Sequence, residues 1–395
     1  MAAPLQGIRV IDFTHVLAGP FCTRLLADFG ADVARIESSK HPDSPWRTVK
    51  DPNLDRDVAY LVVNRNKRSV TINLKTEAGR ELAARIAGVA DVLVENFSAG
   101  VLDRVDLGYE RLSAMNPRLV YVSMSGYGHS GPRRDWTSMN SNLQAYSGLM
   151  MSTGSESDPP ISISNSWMDY VGGLHACFGI IQALSRRAVS GVGMRLDLSQ
   201  FECGVSTIGP ALMASAASRE RPRRAGNRAA GAAPQGCYRC AGKDEWCAIS
   251  VQTDEQWRAL AQVMGFAPDS RFDSVLGRLK HHDEIDRLIT AWTETRDKPD
   301  VEGLLKAAGV PAERMRRANE VAPDSSQPAG PFKPMSGPHA ADVLFTTMPL
   351  GLSPATLAEP RSAGRLGEHT DDVLRSWLGM DNSEIEALRR AEVLA

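Results

Sequence analysis

The sequence predicts an α/β protein: a large domain on a parallel sheet covered by helices on both faces, joined to a smaller α+β domain. Three observations carry this prediction. Short β-branched runs alternate with amphipathic stretches through residue 126, as strand–helix–strand crossovers require. A chain of 395 residues with 43% hydrophobic residues is long enough for more than one core. Composition changes abruptly at residues 218–236, SRERPRRAGNRAAGAAPQG, where Arg, Gly and Ala replace the periodic apolar pattern and suit a linker.

Taken in order, IRVIDF reads as a buried strand, Ala18-Gly19-Pro20 as a turn, FCTRLLADFG as an apolar helix ending on Gly30, and DVARIE as a second strand. A second crossover follows. SVTINL is a strand, Thr76 caps the helix EAGRELAARIAG, and DVLVENF is the next strand. A short helix from Tyr109 to Met115 leads to the strand LVYVSMSG, and residues 167–188 form a long, mostly apolar helix. MRLDLSQFECGVSTIGPALMAS then reads as one more strand and helix, completing the first part of the large domain, residues 1–217. The small domain spans 237–320, with a hairpin at CYRCAGKDEWCAISV and helices at DEQWRALAQVMG, HDEIDRLITAWTET and VEGLLKAAG. A second linker, 321–340, precedes a C-terminal segment, 341–395, expected to return to the large domain through the helices DDVLRSWLGM and SEIEALRRAEVLA.

The charge balance narrows the possible partners. A net charge of -2, from 45 basic and 47 acidic residues intermingled, gives no field that would gather nucleic acid or an anionic membrane. The clustered arginines Arg219, Arg221, Arg223, Arg224 and Arg228 have no interleaved aromatic residue for base stacking. MAAPLQGIRV lacks the features of a secretory signal, and the longest apolar stretch, Val171 to Leu184, falls short of a membrane span. Six cysteines without framework spacing suit a reducing cytoplasm.

YVSMSGYGHSGPRR, residues 121–134, contains a literal G-x-G-x-x-G in Gly126, Gly128 and Gly131 behind a strand. A dinucleotide fingerprint must open a helix, so that backbone N–H groups at the helix start meet the pyrophosphate. Pro132 to Trp136 carry no helical period, which argues against a nicotinamide or flavin site. Asp12 and Glu37 sit where a ribose-binding acid would, yet the turn after the first strand, HVLAGPFC, lacks the glycines.

Asp169 opens the apolar helix of WMDYVGGLHACFGIIQAL, with Gly172 and Gly173 one turn on. Two readings stay open from the residues alone: a first-turn carboxylate stabilised by the helix dipole, or a nucleophile beside glycines that clear space for a bulky substrate. Cys237, Cys240 and Cys247 lack a fourth ligand for zinc, and His281-His282-Asp283-Glu284 reads as a solvated helix start, so no metal site is expected.

DFTHVLAGPFCTRLLADFGADVARIE, NKRSVTINLKTEAGRELAARIAGVADVLVENFSAGVLDRVDLGYERL, NPRLVYVSMSGYGHSGP, WMDYVGGLHACFGIIQAL and RLGEHTDDVL, in that order, resemble the successive signatures of class III CoA-transferases. That group includes formyl-CoA and carnitine CoA-transferases and the α-methylacyl-CoA racemases. The resemblance runs from about residue 5 to the C-terminus. It implies a Rossmann-like large domain with an inserted small domain, in an interlocked homodimer. It also implies Asp169 as the catalytic carboxylate, and coenzyme A or its acyl esters as substrate, with no tightly bound cofactor. His15, Val16, Leu17 and Ala18, then Asn73, Leu74 and Lys75, then Asn96, Phe97 and Arg104 are the CoA-binding positions the resemblance implies. Gly126, Tyr127 and Gly128 are expected to line the acyl site and stabilise its oxyanion.

The expected reaction moves CoA from an acyl-CoA donor to a carboxylic acid acceptor through an aspartyl mixed anhydride and an aspartyl-CoA thioester. The alternatives are an acyl-CoA racemase or isomerase, and a non-catalytic CoA-binding homologue. Three departures bear on this. Ser38-Ser39-Lys40 stands where many relatives have a basic residue directly after the second strand, and Asn140 where many carry an acid. Met139 occupies the position of the racemase histidine, and a thioether cannot shuttle a proton.

Overall fold

The computed structural model describes residues 2–40, 42–43, 58–219, 223–321, 332–334 and 344–394. Strand β1 (Arg9–Asp12) leads through α1 (Ala18–Asp28) to β2 (Asp32–Glu37), and α2 (Val58–Asn64) leads to β3 (Arg68–Thr71). Helix α3 (Glu77–Gly88) precedes β4 (Val92–Glu95), and α4 (Tyr109–Met115) precedes β5 (Val120–Ser125). After α5 (Asn140–Tyr146) and α6 (Trp167–Ser190) come β6 (Met194–Ser199), α7 (Gln200–Thr207) and α8 (Gly209–Ser218).

The six strands pair in parallel in the order β3-β2-β1-β4-β5-β6. Beside one another lie β1 and β4, so the direction of winding reverses between them. Loops leaving their carboxyl ends diverge to opposite faces and open a crevice, the place where such sheets bind ligands.

Alternation along the strands builds two cores. Ile11, Leu93 and Tyr121 face one side, packed with Leu82 and Ile86 of α3 and with residues of the C-terminal segment. Val10, Val92 and Val120 face the other, against Leu25 and Leu26 of α1 and Ile180 and Leu184 of α6. Thr76 caps α3 by accepting the Gly79 N–H at 3.0 Å. A Cβ on Gly79 would fall 2.1 Å from the Asn73 carbonyl oxygen, so this cap requires glycine.

A second unit comprises Met151–Ile161 and Arg219–Ser326, the rest of the chain forming the first. It holds an antiparallel sheet of β7 (Gln235–Arg239), β8 (Trp246–Ser250) and β9 (Ala312–Arg314). Packed with it are α9 (Asp254–Met264), α10 (Val275–Lys280), α11 (His282–Thr293) and α12 (Lys298–Ala307), and the short α13 (Ala318–Val321) follows. The core joins Trp257, Leu260, Ile285, Ile289, Val301 and Leu305. In the first unit, β10 (Phe332–Pro334) pairs antiparallel with β11 (Leu344–Thr346), and α14 (Thr370–Leu378) and α15 (Asn382–Arg390) close the chain.

The structure differs from the expected elements at the start of α1, after β6 and in three short helices. Ala18-Gly19-Pro20 is not a turn but the first turn of α1. Proline is tolerated there because the first N–H groups of a helix have no intrahelical partner. The chain reversal falls instead on Val16, at φ 65°. The single helix expected after β6 is broken at Ile208, so that Pro210 lies in the first turn of α8. Helices α2, α5 and α10 carry too few turns for their period to stand out. Arg221, most of the 321–340 linker and residues 341–343 lie outside the described residues.

Candidate active site

The loops after β1 and β4 are tied together by Asn96. Its Oδ1 accepts the His15 N–H at 2.7 Å and its Nδ2 donates to the His15 carbonyl at 2.8 Å. The His15 ring meets Phe97 edge-on at 5.2 Å. Val16, a β-branched residue in the left-handed region, is strained by about 1–3 kcal/mol. Its N–H donates to Asp43 Oδ1 at 2.9 Å.

That strained turn rests on a buried polar network. Arg35 donates to Asp43 at 2.6 Å and to the Thr14 carbonyl at 2.8 Å. Fully buried Asp12 accepts from the Thr14 N–H (2.8 Å), Thr14 Oγ1 (2.6 Å), Thr23 Oγ1 (2.7 Å) and Lys67 Nζ (3.0 Å). Glu37 accepts from Tyr60 and Ser69. Both acids that stand where a ribose ligand would be are therefore engaged by the protein.

Val16, Leu17, Asn96 and Phe97 form one side of a cavity of about 250 Å³, and Ser125, Gly126, Ser138, Asn140, Asp169 and Gln200 are among the residues of the other. Asn165 and Ser166, both at positive φ, turn the chain into α6 and place Asp169 in its first turn. Burial pushes the Asp169 carboxyl up to about 6, against the lowering effect of its own backbone N–H. No cation contributes to that shift. The geometry thus supplies a desolvated carboxylate that is ionised near neutrality and facing a crevice.

The glycine pair after it acts differently from the expectation. A Cβ on Gly173 would fall 2.7 Å from Phe21 Cδ1 and 2.8 Å from the Ala18 carbonyl, so this glycine lets α6 lie against α1. A Cβ on Gly172 would meet Gln200 Cγ at 3.0 Å. Only Gly172 therefore faces a cavity residue. Gly173→Ala is expected to lower stability by about 1–3 kcal/mol through overpacking. Thermal denaturation at unchanged stability would instead restore the substrate-clearance role.

The loop after β5 is shaped by its own glycines. A Cβ on Gly126 would fall 2.1 Å from Ser138 Cβ, so only glycine admits that segment over the strand end. Gly128, at φ 83°, brings the His129 N–H onto both Asp197 carboxylate oxygens, at 3.0 and 3.2 Å. A protein carboxylate occupies the amide that a phosphate would need, and no helix begins between Gly126 and Asn140.

The other expected positions separate into groups. Asp169, Val16, Leu17, Asn96, Phe97 and Gly126 share the cavity. His15 and Ala18 flank its wall, whereas Tyr127 packs edge-on to Trp136 and Tyr146 at 5.5 and 5.9 Å. At the carboxyl end of β3, two strands from β1, the Asn73 N–H donates to the Val393 carbonyl at 2.8 Å and Leu74 packs on the core. Lys75 is exposed. Nearby, Lys40 pairs with Glu392 at 3.0 Å, while exposed Arg104 on the Asp103–Val105 turn pairs with no carboxylate among the described residues.

Trp136, Ser138, Leu143 and Gln200 also line the cavity and carried no sequence signal. Glu95 did carry one, a charge ending an apolar strand run, and is described below. Among the described residues no group of three or more His, Cys, Asp or Glu side chains could hold a metal. His282 instead accepts the Gln235 N–H at 3.2 Å, and Arg228 pairs with Asp283 and Asp286.

Residues 5–370 match the model of the family described as CoA-transferase family III. Formyl-CoA:oxalate CoA-transferase of Streptomyces avermitilis is 32% identical, covering all of both chains. Succinyl-CoA–D-citramalate CoA-transferase of Chloroflexus aurantiacus is 31% identical over 99% of this chain and 98% of the relative. The crystal structure of a CAIB/BAIF family protein from Brucella suis superposes with a TM-score of 0.87 at 30% identity, over 95% of this chain and 100% of the other.

Proposed function

The chain belongs to CoA-transferase family III and is an enzyme of that family, and from this premise we propose that Asp169 carries CoA from an acyl-CoA donor to a carboxylic acid acceptor. The observation that carries this reading is a carboxylate, desolvated and without a cation, on the wall of the cavity at the β1/β4 crevice. Desolvation raises the nucleophilicity that water would suppress.

In the proposed sequence an Asp169 oxygen attacks the thioester carbonyl, the carbon–sulfur bond breaks, and CoA leaves as thiolate. An aspartyl mixed anhydride remains. The thiolate then attacks the aspartyl carbonyl and releases the donor acid, leaving CoA on Asp169 as a thioester. An acceptor carboxylate attacks that thioester to give a second anhydride. Thiolate attack on its acceptor carbonyl yields the new acyl-CoA and regenerates Asp169. Every bond broken is matched by one formed, and no net proton is consumed.

Racemisation would need a second acid/base group opposite Asp169. His129 points its Nε2 at Glu95, 3.5 Å away. His175 holds its Nδ1 2.8 Å from the Val171 carbonyl and lines another cavity. This geometry favours transfer. We place CoA along the crevice toward Asn73, Leu74, Lys75 and Arg104, with Gly126, Tyr127 and Gly128 beside the acyl group. The reaction needs no metal or tightly held cofactor beyond CoA itself.

The homodimer belongs to the same proposal. Leu174, Phe178 and Ile181, at helical spacing on α6, are 53%, 66% and 37% exposed, an apolar stripe suited to a second copy. Mass photometry giving a monomer at micromolar concentration would remove it. No helix among the described residues is long and apolar enough to cross a membrane. All six cysteines are free, which suits the cytoplasmic setting we propose.

The test is to incubate enzyme with acyl-CoA, quench, and examine the peptide containing Asp169 by mass spectrometry. A CoA adduct labile to hydroxylamine is expected. An enzyme that binds CoA fully, yet gains no adduct and exchanges no acid from a broad panel, is the non-catalytic homologue.

A further inference from the structure

Glu95 ends β4 and is only 2% exposed. Its Oε2 accepts the Phe97 N–H at 2.9 Å, which folds back the loop whose Asn96 and Phe97 line the cavity. Its Oε1 lies 3.5 Å from His129 Nε2, a buried atom with no hydrogen-bond partner among the described residues. His129 belongs to the glycine loop, and its backbone is already pinned by Asp197. On the other side of the ring, Arg195 approaches Nδ1 at 3.5 Å. Because a guanidinium only donates, Nδ1 must accept, and the ring proton is assigned to Nε2, facing Glu95.

We propose that Glu95 and His129 form a latch that joins the Asn96–Ser98 loop to the Gly126–Gly131 loop and thereby fixes two walls of the acyl-CoA site. This rests on the transferase reading for its effect on rate. Glu95 touches no reacting atom and is a positioning residue. The latch is set when Glu95 is ionised, since a carboxylate accepts both the Phe97 N–H and the His129 Nε2–H. A protonated carboxyl would turn one oxygen into a donor.

The surroundings place this switch near neutrality. Burial pushes Glu95 up to about 7, opposed by the Phe97 N–H, the Ser123 hydroxyl and, more weakly, Arg195, while Asp103 raises it further. His129 is lowered by burial, with Asp197 and Asp103 opposing and Arg195 and Arg134 reinforcing. Tyr121 of β5 also faces Glu95. The acid's folded-state value lies above its unfolded one, so the ionised form costs stability increasingly as pH rises from its ordinary value of 4.5 to about 7.

Four measurements on the full-length enzyme test this. Hydrogen exchange of ligand-free protein, corrected for intrinsic rates, is expected to be about 10-fold faster at residues 126–131 in Glu95→Gln and His129→Ala. Both variants should lose about 10- to 100-fold in kcat with a much smaller change in KM, and His129→Gln, which keeps a donor, should recover most of it. Below neutrality wild-type kcat/KM should fall with two protons, on Asp169 and Glu95, but with one in Glu95→Gln. That variant should melt no lower than wild type at pH 8.

Unchanged exchange at residues 126–131 in both variants would overturn the latch, as would a rate loss that merely tracks a lowered melting temperature. The exchange measurement needs no turnover. Failure of wild-type enzyme to transfer CoA would therefore strike the transferase reading and leave the latch to be judged on the loop alone.

Discussion

Asp169→Asn is expected to lose CoA exchange by about 10⁴-fold or more in kcat while still binding acyl-CoA, because an amide cannot open the thioester. Calorimetric titration with CoA separates the two effects. The substitution should not unfold the protein. Burial holds Asp169 at about 6, above its ordinary value of 3.8, so its ionised form costs rather than adds stability once pH exceeds that ordinary value. Removing the charge relieves this cost, and the melting temperature at pH 8 should be equal or higher. For wild type, kcat/KM should rise with pH through about 6 as the carboxylate forms. Exchange persisting in Asp169→Asn at more than a hundredth of the wild-type rate would mean that another group carries CoA.

Asp12→Ala should be strongly destabilising, by about 3–5 kcal/mol, because it leaves Lys67 buried without its counter-charge, whereas Arg35 keeps Asp43 at 2.6 Å. Burial would raise the Asp12 carboxyl, but Lys67 and Arg35, with the hydroxyls of Thr14 and Thr23, bring it below its ordinary value. Its stabilisation is therefore present above pH 3.8 and lost as pH falls through the depressed folded value. Lys67, driven down to about 8 by burial, has the opposite sign: its cost eases as pH rises from about 8 toward 10.5. Chemical denaturation of Asp12→Ala across this range checks both. Asp12→Asn, which keeps an acceptor for Thr14 or Thr23, should lose less. Equal stability of the alanine variant and wild type at pH 7 would show that the network carries no net energy. Because the same network holds the Val16 turn, weaker CoA binding should accompany the loss.

Local pattern made much of the large unit readable. DVARIE and Tyr109–Met115 fold as the sequence implies, and Thr76 caps the helix that its hydroxyl suggests, because caps and short periods act between near neighbours. The α1 start was missed because Ala18-Gly19-Pro20 has turn composition, whereas the reversal lies in the backbone of Val16. Lone helices such as α2 were missed because VAYLVVN is apolar up to its last residue and has no polar face to set a period. At the site, residue type singled out Asp169, but the chemistry of a carboxylate at a helix start left two readings open.

The sequence by itself therefore determined the βαβ alternation and the family signatures, since each is written in contiguous residues. Tertiary structure alone decided which strands adjoin, that Gly173 serves helix packing, that Asp197 fills the glycine loop, and that Glu95 meets His129. The physical reason is that desolvation and close contact depend on what surrounds an atom in space. For Gly173, Asp197 and Glu95 those surroundings come from residues 34 or more positions away, beyond the reach of any local period.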